Sequence, residues 1–275
     1  MSQVNHPSYD SKAPRQYIVD ELRDLYNYRN LIQQLTLRDI TVRYKRSFLG
    51  VLWTMLDPLL TMMVMLFVFT YLLKRNIPNF PVYLFTALIV FNFFSQVTNS
   101  SIRVFRRSGH LITKVYLPKS VFVIVSVATG LVNFFITLGI LFVIALITRV
   151  PVTLNWFFLP IPTIILTIFA LGASFVLAPI GVYFSDIDNI YSIVLRLVMY
   201  LSAIFYPVDI LPDWLSTIVN INPLYNFIYL FRAPIYLGSP ISFYRLLYTT
   251  LWAVGLFMFG LFIFTRLTDG ISHRL

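Results

Sequence analysis

Beyond residue 50 the sequence runs in apolar blocks of span length, divided by short stretches that are polar and often basic. A helix needs about 20 apolar residues to cross the ~30 Å hydrocarbon core of a bilayer. The blocks therefore predict six membrane-spanning helices, at 51–73, 82–101, 120–147, 156–184, 190–206 and 245–265. Ahead of them, residues 31–44 predict a helix with apolar positions in two groups. Leu31, Ile32, Leu35 and Val42 face one way, and Leu37, Ile40 and Tyr44 the other, as in a helix clamped between two surfaces. Residues 1–28 carry Pro7 and Pro14 with mixed charge, predicting a mobile start and a short helix near 17–28. They contain no apolar core of signal-peptide length, so the first span is expected to be an uncleaved anchor. The chain thus divides into a polar N-terminal segment, 1–50, and a six-span domain, 51–275.

Two connections break the alternation. Residues 103–117, RVFRRSGHLITKVYL, predict an amphipathic helix stopped by Pro118. Val104, Phe105, Leu111, Ile112 and Val115 fall on one arc, and Arg103, Arg106, Arg107, His110 and Lys114 on the opposite one. Such a helix can lie on anionic lipid headgroups or dock a protein partner, and the two are compatible. The stretch 207–243 is too long for a hairpin and too apolar for a solvated loop. It predicts two short helices, 213–220 and 224–236, broken at Asn222-Pro223. The first reaches only ~12 Å at 1.5 Å per residue. A pair that dips part-way into the membrane and returns fits best, buried in protein or lining a wet cavity.

Charge fixes the expected orientation. Eight Lys/Arg precede the first span, five lie between 102 and 119, and Arg266 and Arg274 follow the last. The opposite side holds Lys74, Arg75, Arg149, Arg232 and Arg245, while Arg196 falls inside the fifth span. The excess places both termini in the cytoplasm. Only 12% of residues are charged and mean hydropathy is +0.78, so the pattern is that of an all-α integral membrane protein. A net charge of +10 would suggest nucleic acid in a soluble protein. Here the basic residues gather at span ends, and no nucleic-acid partner is expected.

Covalent chemistry finds little support. There is no cysteine, hence no thiolate metal site or cysteine nucleophile. His6, His110 and His273 are far apart, and no metal is expected on them. No G-x-x-x-x-G-K-[ST] phosphate loop occurs, so ATP and its Mg²⁺ are not expected on this chain. Asp57, followed by Pro58, reads as a local cap or a partner for a basic residue. Asp186 and Asp188 spell D-x-D, a pattern that can hold a divalent metal in sugar-nucleotide transferases. A helix N-cap opening the fifth span is the favoured alternative. Aromatics make up 17% of the chain, and Trp53, Leu60, Val64, Phe67 and Tyr71 fall along one face of the first span. Most such stripes are packing. Ring faces also suit the apolar C–H faces of sugars, and a smooth aromatic wall lets a polymer slide.

The stretch YKRSFLGVLWTMLDP, Tyr44 to Pro58, resembles the start of the first span in permease subunits of ATP-binding-cassette polysaccharide exporters. The shared residues are Tyr44, Ser47, Leu49, Gly50, Trp53 and Pro58. The six spans, the N-terminal helix, the basic loop and the broken segment before the last span are similar too. That family exports lipid-linked O-antigen, teichoic acid or capsule and has the type-2 exporter membrane fold. One stretch departs from it, with Ser185 where the family usually has Arg before the first acid, so an ionic role of that Arg is not carried over. The resemblance implies a homodimer with two copies of a separate ATPase. Those subunits dock on the N-terminal helix and on the basic loop, here Arg103, Arg106, Arg107, His110 and Lys114. It also implies a channel between the two copies, walled by the first and fifth spans. Trp53, Phe67 and Tyr71 are expected wall residues, Tyr191, Phe205 and Tyr206 are further candidates for the wall, and Trp214 and Tyr225 are expected in an exit gate. The expected function is export of a lipid-linked polysaccharide across the bacterial inner membrane. Its rivals are an exporter of lipids or drugs, a membrane transferase using Asp186 and Asp188, and an ion-coupled carrier.

Overall fold

The computed structural model describes residues 27–44, 50, 52–72, 77–112, 114 and 117–268. The helix expected near 17–28 lies almost wholly outside these residues, as do Ser47, Leu49, Val115 and the side chain of Tyr44. In chain order the helices are α1 (Arg29–Tyr44), α2 (Leu52–Phe67), α3 (Phe80–Ile102), α4 (Val104–Ile112) and α5 (Ser120–Ile147). They continue as α6 (Pro160–Tyr183), α7 (Ile187–Leu201), α8 (Asp213–Ile221), α9 (Pro223–Ile235) and α10 (Phe243–Thr268). A π-helical turn, Val68–Leu72, extends α2, and a 3₁₀ turn, Leu154–Phe158, leads into α6.

Four segments are long and apolar enough to cross a membrane: Phe80–Ile102, Ser120–Ile147, Leu154–Tyr183 and Phe243–Thr268. They coincide with the second, third, fourth and sixth expected spans. The other two differ. The apolar helix of the first covers Leu56–Tyr71, and α7 has 15 residues, or ~22 Å at 1.5 Å per residue. It ends at Leu201, before the expected boundary at 206, because the backbone turns out of the helix there. Ala203 takes a left-handed φ of 47°, which continues no right-handed helix.

At the centre is α3. Seventeen of its residues are buried, and α2, α5, α6, α7 and α9 all touch it. The largest apolar core gathers around it, with Phe85, Leu84, Leu166, Phe227 and Ile228 fully enclosed. Small residues let backbones meet where lipid supplies no hydrophobic drive between helices. A methyl group on Gly260 of α10 would stand 2.2 Å from the Gly172 carbonyl oxygen of α6, so these two helices cross at glycine on glycine. One on Gly181 would stand 1.9 Å from the Ile102 carbonyl oxygen, locking the end of α6 onto the α3–α4 corner.

Of the two apolar groups expected on α1, only one is covered. Leu35 packs on Val121 and Val125 of α5, with Tyr28, Leu31 and Ile32 beside it. Val42, expected on that side, is exposed, and so is Leu37. The clamp between two surfaces is therefore closed on one side within this chain.

Candidate functional site

Charge and aromatic residues concentrate at three places: the outer face of α2, the corner where α4 meets α7, and the α8–α9 pair beyond the far end of α7.

The turn into α2 is made by Gly50 at φ +50°, and its carbonyl accepts from the Trp53 amide at 3.3 Å. Left-handed backbone suits glycine and strains other residues, which gives this position in the 44–58 motif a physical reason. One face of α2 packs inward through buried Pro58 and Met62. Phe69, in the π turn, stacks on Phe80 at 4.9 Å between ring centroids. The opposite face carries Trp53, Leu60, Val64, Phe67 and Tyr71, each between 50% and 68% exposed. Phe67 and Tyr71 lie 5.2 Å apart. The stripe expected from sequence is thus a continuous uncovered surface of the chain.

The second wall is different from the expectation. Tyr191 and Tyr206 are half-buried against the core and Phe205 is buried, so these three rings pack inward. The exposed face of α7 is made by Ile190, Ile193, Leu197 and Tyr200, with Arg196 also exposed. Sequence reasoning missed Tyr200. Its ring lies 6.1 Å from Phe205, and its carbonyl accepts from the Tyr206 hydroxyl at 2.5 Å.

At the near end of α7 the sequence expected an N-cap. Asp186 occupies that position without a side-chain capping bond. Asp188 instead reaches across to α4 and to Arg103, the residue that joins α3 to it. Its Oδ1 accepts from Arg103 Nε at 3.0 Å and its Oδ2 from Arg106 Nη2 at 2.5 Å. Burial pushes the Asp188 carboxyl up, but the two arginine hydrogen bonds and charges outweigh it and hold it below its ordinary value. Both oxygens are committed to guanidinium groups, which is a poor start for a metal ligand. The metal-binding and capping readings of D-x-D both give way to an ion-paired corner. The apolar arc of α4 does not lie open to lipid. Val104 and Phe105 are buried with Phe122, Phe175 and Phe264, and Leu111 and Ile112 pack beside them. The basic arc faces outward, with Arg103, Arg106, Arg107, His110 and Lys114 all exposed.

Beyond the far end of α7, Asn222 opens α9 by accepting from the Leu224 amide at 2.9 Å, while its own amide donates to the Leu201 carbonyl and the Ser202 hydroxyl. Asn226 joins the two short helices by donating to the Asn220 and Asn222 carbonyls, and it accepts from Arg245 Nη1 at 3.0 Å. Arg245 lies over the Tyr229 ring at 3.9 Å. Of the two expected gate residues, Trp214 is 66% exposed, whereas Tyr225 is buried beneath Arg245.

Arg232 was expected in an outer loop and is instead inside the protein, 5% exposed. Nη1 donates to the Ala203 carbonyl at 3.0 Å, Nη2 to the Ile204 carbonyl at 2.9 Å, and Nε to the Tyr83 carbonyl at 3.4 Å. The guanidinium stacks 3.7 Å from the centre of the Tyr83 ring. The bend after α7 has lost its helical hydrogen bonds, and Arg232 replaces them. The signal was present in the sequence: a lone charge inside an otherwise apolar short helix.

The sequence pattern of the family described as ABC-2 type transporter matches residues 30–236. An O-antigen export system permease protein RfbA of Myxococcus xanthus is 32% identical over 78% of this chain and 84% of its own length. A protein of the same description from Klebsiella pneumoniae is 28% identical, over 86% and 92%. The polysialic acid transport protein KpsM of Escherichia coli is 26% identical, over 75% and 81%. The matched region runs from α1 to the end of α9 and so contains all three places described above. The chain belongs to the ABC-2 type transporter family.

Proposed function

We propose that this chain is the membrane permease of an exporter that moves a lipid-linked polysaccharide out of the bacterial cytoplasm. Two copies form the path between them, and ATP, with Mg²⁺, is hydrolysed on two copies of a separate subunit. The chain itself supplies no covalent chemistry. The observation that carries this reading is the uncovered aromatic face of α2. Trp53 near one end of that face and the Phe67–Tyr71 pair at the other offer shallow ring surfaces for the apolar C–H faces of sugars, with aliphatic Leu60 and Val64 between them, so that a polymer can slide. The relatives are described as an O-antigen export system permease protein and a polysialic acid transport protein, which supports a glycan cargo over a drug or a simple lipid.

In this arrangement α2 and α7 complete a set of six spans, with both termini and α4 on the cytoplasmic side. Exposed Trp53, Phe67, Tyr71 and Tyr200 line the path. Half-buried Tyr191 and Tyr206 and buried Phe205 shape it from behind. The α8–α9 pair dips in from the outer side, with Trp214 at the exit and Tyr225 bracing it. The outward charges of α4 receive the ATPase. The Asp188 corner then passes a push on α4 directly to α7.

The test is isolation of the tagged chain from its native host with quantified stoichiometry, followed by transport in vesicles. Equimolar recovery of a P-loop ATPase and ATP-dependent uptake of lipid-linked glycan into inverted vesicles are expected. Joint replacement of Trp53, Phe67 and Tyr71 by alanine is expected to stop uptake while leaving ATPase recovery unchanged. Recovery of the chain alone, with glycosyl or acyl transfer abolished by Asp188→Asn, would replace the exporter reading with the transferase one.

A further inference from the structure

A polar cleft of about 390 Å³ lies where α1, α3, α4 and α5 meet. Its donors are unusual for their lack of partners. Ser108 is 8% exposed, and among the described residues its hydroxyl has no hydrogen-bond partner, although it lines the cleft. Gln96 and Ser100, half-buried on α3, are likewise unbonded among the described residues and line the same wall. Arg107 is exposed, lines the cleft, and has no carboxylate within ion-pair distance among the described residues, unlike its neighbour Arg106. Arg38 contributes a second guanidinium but shares it with Asp39, whose Oδ1 it holds at 2.9 Å. On the far wall Thr129 spends its proton on the Val125 carbonyl and presents only lone pairs.

Two guanidiniums and one carboxylate line the cleft, together with an amide and two unbonded hydroxyls. The unbonded donors line the cleft and are free to take the oxygens of a ligand that enters it. The group that fits is a tetrahedral oxyanion, which takes a guanidinium and several neutral donors together. We propose that this cleft binds the phosphate of a membrane lipid, with Arg107, Ser108, Gln96 and Ser100 as donors and Arg38 as the outer cation. The inference rests on the cytoplasmic placement of α1 and α4 proposed above, which sets the cleft at the level of the lipid phosphates. Two sources share this chemistry: an ordinary phospholipid headgroup, and the phosphate or diphosphate joining lipid to glycan in the cargo.

The chain has no cysteine, so Ser108→Cys places one thiol in the cleft. Its labelling by a membrane-impermeant anionic thiosulfonate is followed in detergent, in the full-length chain, with farnesyl diphosphate, farnesol or dioctanoyl phosphatidylglycerol added. Farnesyl diphosphate is expected to slow labelling and farnesol to leave it unchanged. Arg107→Gln is expected to weaken that protection by about tenfold, the effect of losing one hydrogen bond from a charged group. Arg106→Gln, whose partner is Asp188, should change it little, and Arg107→Lys should fall between. Equal protection by phosphatidylglycerol assigns the site to lipid headgroups in general, and protection by the diphosphate alone assigns it to the cargo anchor. Labelling indifferent to both phosphate lipids, or protection undiminished in Arg107→Gln, would overturn the proposal. Labelling in sealed vesicles reports separately on the side of the membrane. Access from the outer face alone would refute the cytoplasmic placement without touching the binding result, and neither readout depends on transport.

Discussion

Helix α7 is held by arginine at both ends, and the two junctions are built on opposite principles. At its start, Arg103 and Arg106 meet the carboxylate of Asp188 with side chains that remain 57%, 36% and 21% exposed. At its end, one enclosed guanidinium meets main-chain carbonyls and an aromatic ring, with no carboxylate among its contacts with the described residues. The first is a charge pair in reach of water, which forms and breaks at small cost. The second is a buried cation that has exchanged hydration for carbonyl oxygens, and it is expensive to disturb. The difference suits a helix pushed at one end and anchored at the other.

The sharpest way to break the comparison is at the anchor. Arg232→Met removes the donors of the Ala203 and Ile204 carbonyls inside the protein. At about 1–3 kcal/mol for each buried group left unpaired, it should cost several kcal/mol, the largest loss of any single change considered. Thermal unfolding in detergent, read by size-exclusion chromatography, is expected to show little monodisperse protein. Arg232→Lys should recover only part, since an ammonium cannot present a planar fork to two adjacent carbonyls. A methionine variant as stable as the parent would show that the bend holds itself.

Next in size is the corner from which α4 departs. A methyl group at Gly181 would sit 1.9 Å from the Ile102 carbonyl oxygen, so Gly181→Ala must part α6 from the α3–α4 corner. Overpacking of this sort costs about 1–3 kcal/mol. The unfolding temperature should drop clearly but less than in Arg232→Met. The same assay on Gly255→Ala, where nothing stands within 4 Å, should show almost no change. Equal effects at the two glycines would contradict the close approach.

Smaller again is the latch itself. Asp188→Asn should lower stability by about 0.2–1 kcal/mol per exposed pair, and its effect should not add to those of Arg103→Ala and Arg106→Ala. A double-mutant cycle measures that coupling, and strict additivity would mean that the ion pairs carry nothing. In the exporter proposed above, this mild loss of stability should accompany a larger loss of ATP-driven transport, because the latch joins α4 to α7.

These contrasts also mark what could be read from the chain. Spans with long apolar runs were legible to within a few residues, because length and composition alone determine them. The exposed stripe from Trp53 to Tyr71 was legible for the same reason, since one helix fixes its own periodicity. The ends of α7 were not. Asp188 and Arg103 are 85 residues apart, and nothing local distinguishes a capping aspartate from one paired across the fold. Early termination of α7 depends on Arg232, nearly thirty residues downstream, receiving the Ala203 and Ile204 carbonyls. Phe205 and Tyr191 were assigned to a wall by residue type, but which side of a helix faces the core is a tertiary matter. Partnerships across the fold decided each of the misplaced residues.

The smallest effect separates the two junctions by acid alone. Asp188 is held below its ordinary pKa in the folded chain, since the arginine hydrogen bonds and charges overcome the opposing effect of burial. A carboxyl depressed by folding stabilises fully above its unfolded value, about 3.9 for aspartate, and that stability is lost as pH falls through the lower folded value. The stability difference between the parent and Asp188→Asn should therefore be flat from neutral pH down to about 5 and shrink only below about 4. Among the described residues Arg232 is paired with no carboxylate, and Asp209 acts only on the Tyr83 ring beneath it, so the difference between the parent and Arg232→Lys should shrink less over that range. Parallel unfolding series from pH 7 to the acid limit of the detergent-solubilised protein would measure both. If the Asp188→Asn difference stayed constant into acid, the aspartate would be acting through shape rather than charge, and α7 would be anchored alike at its two ends.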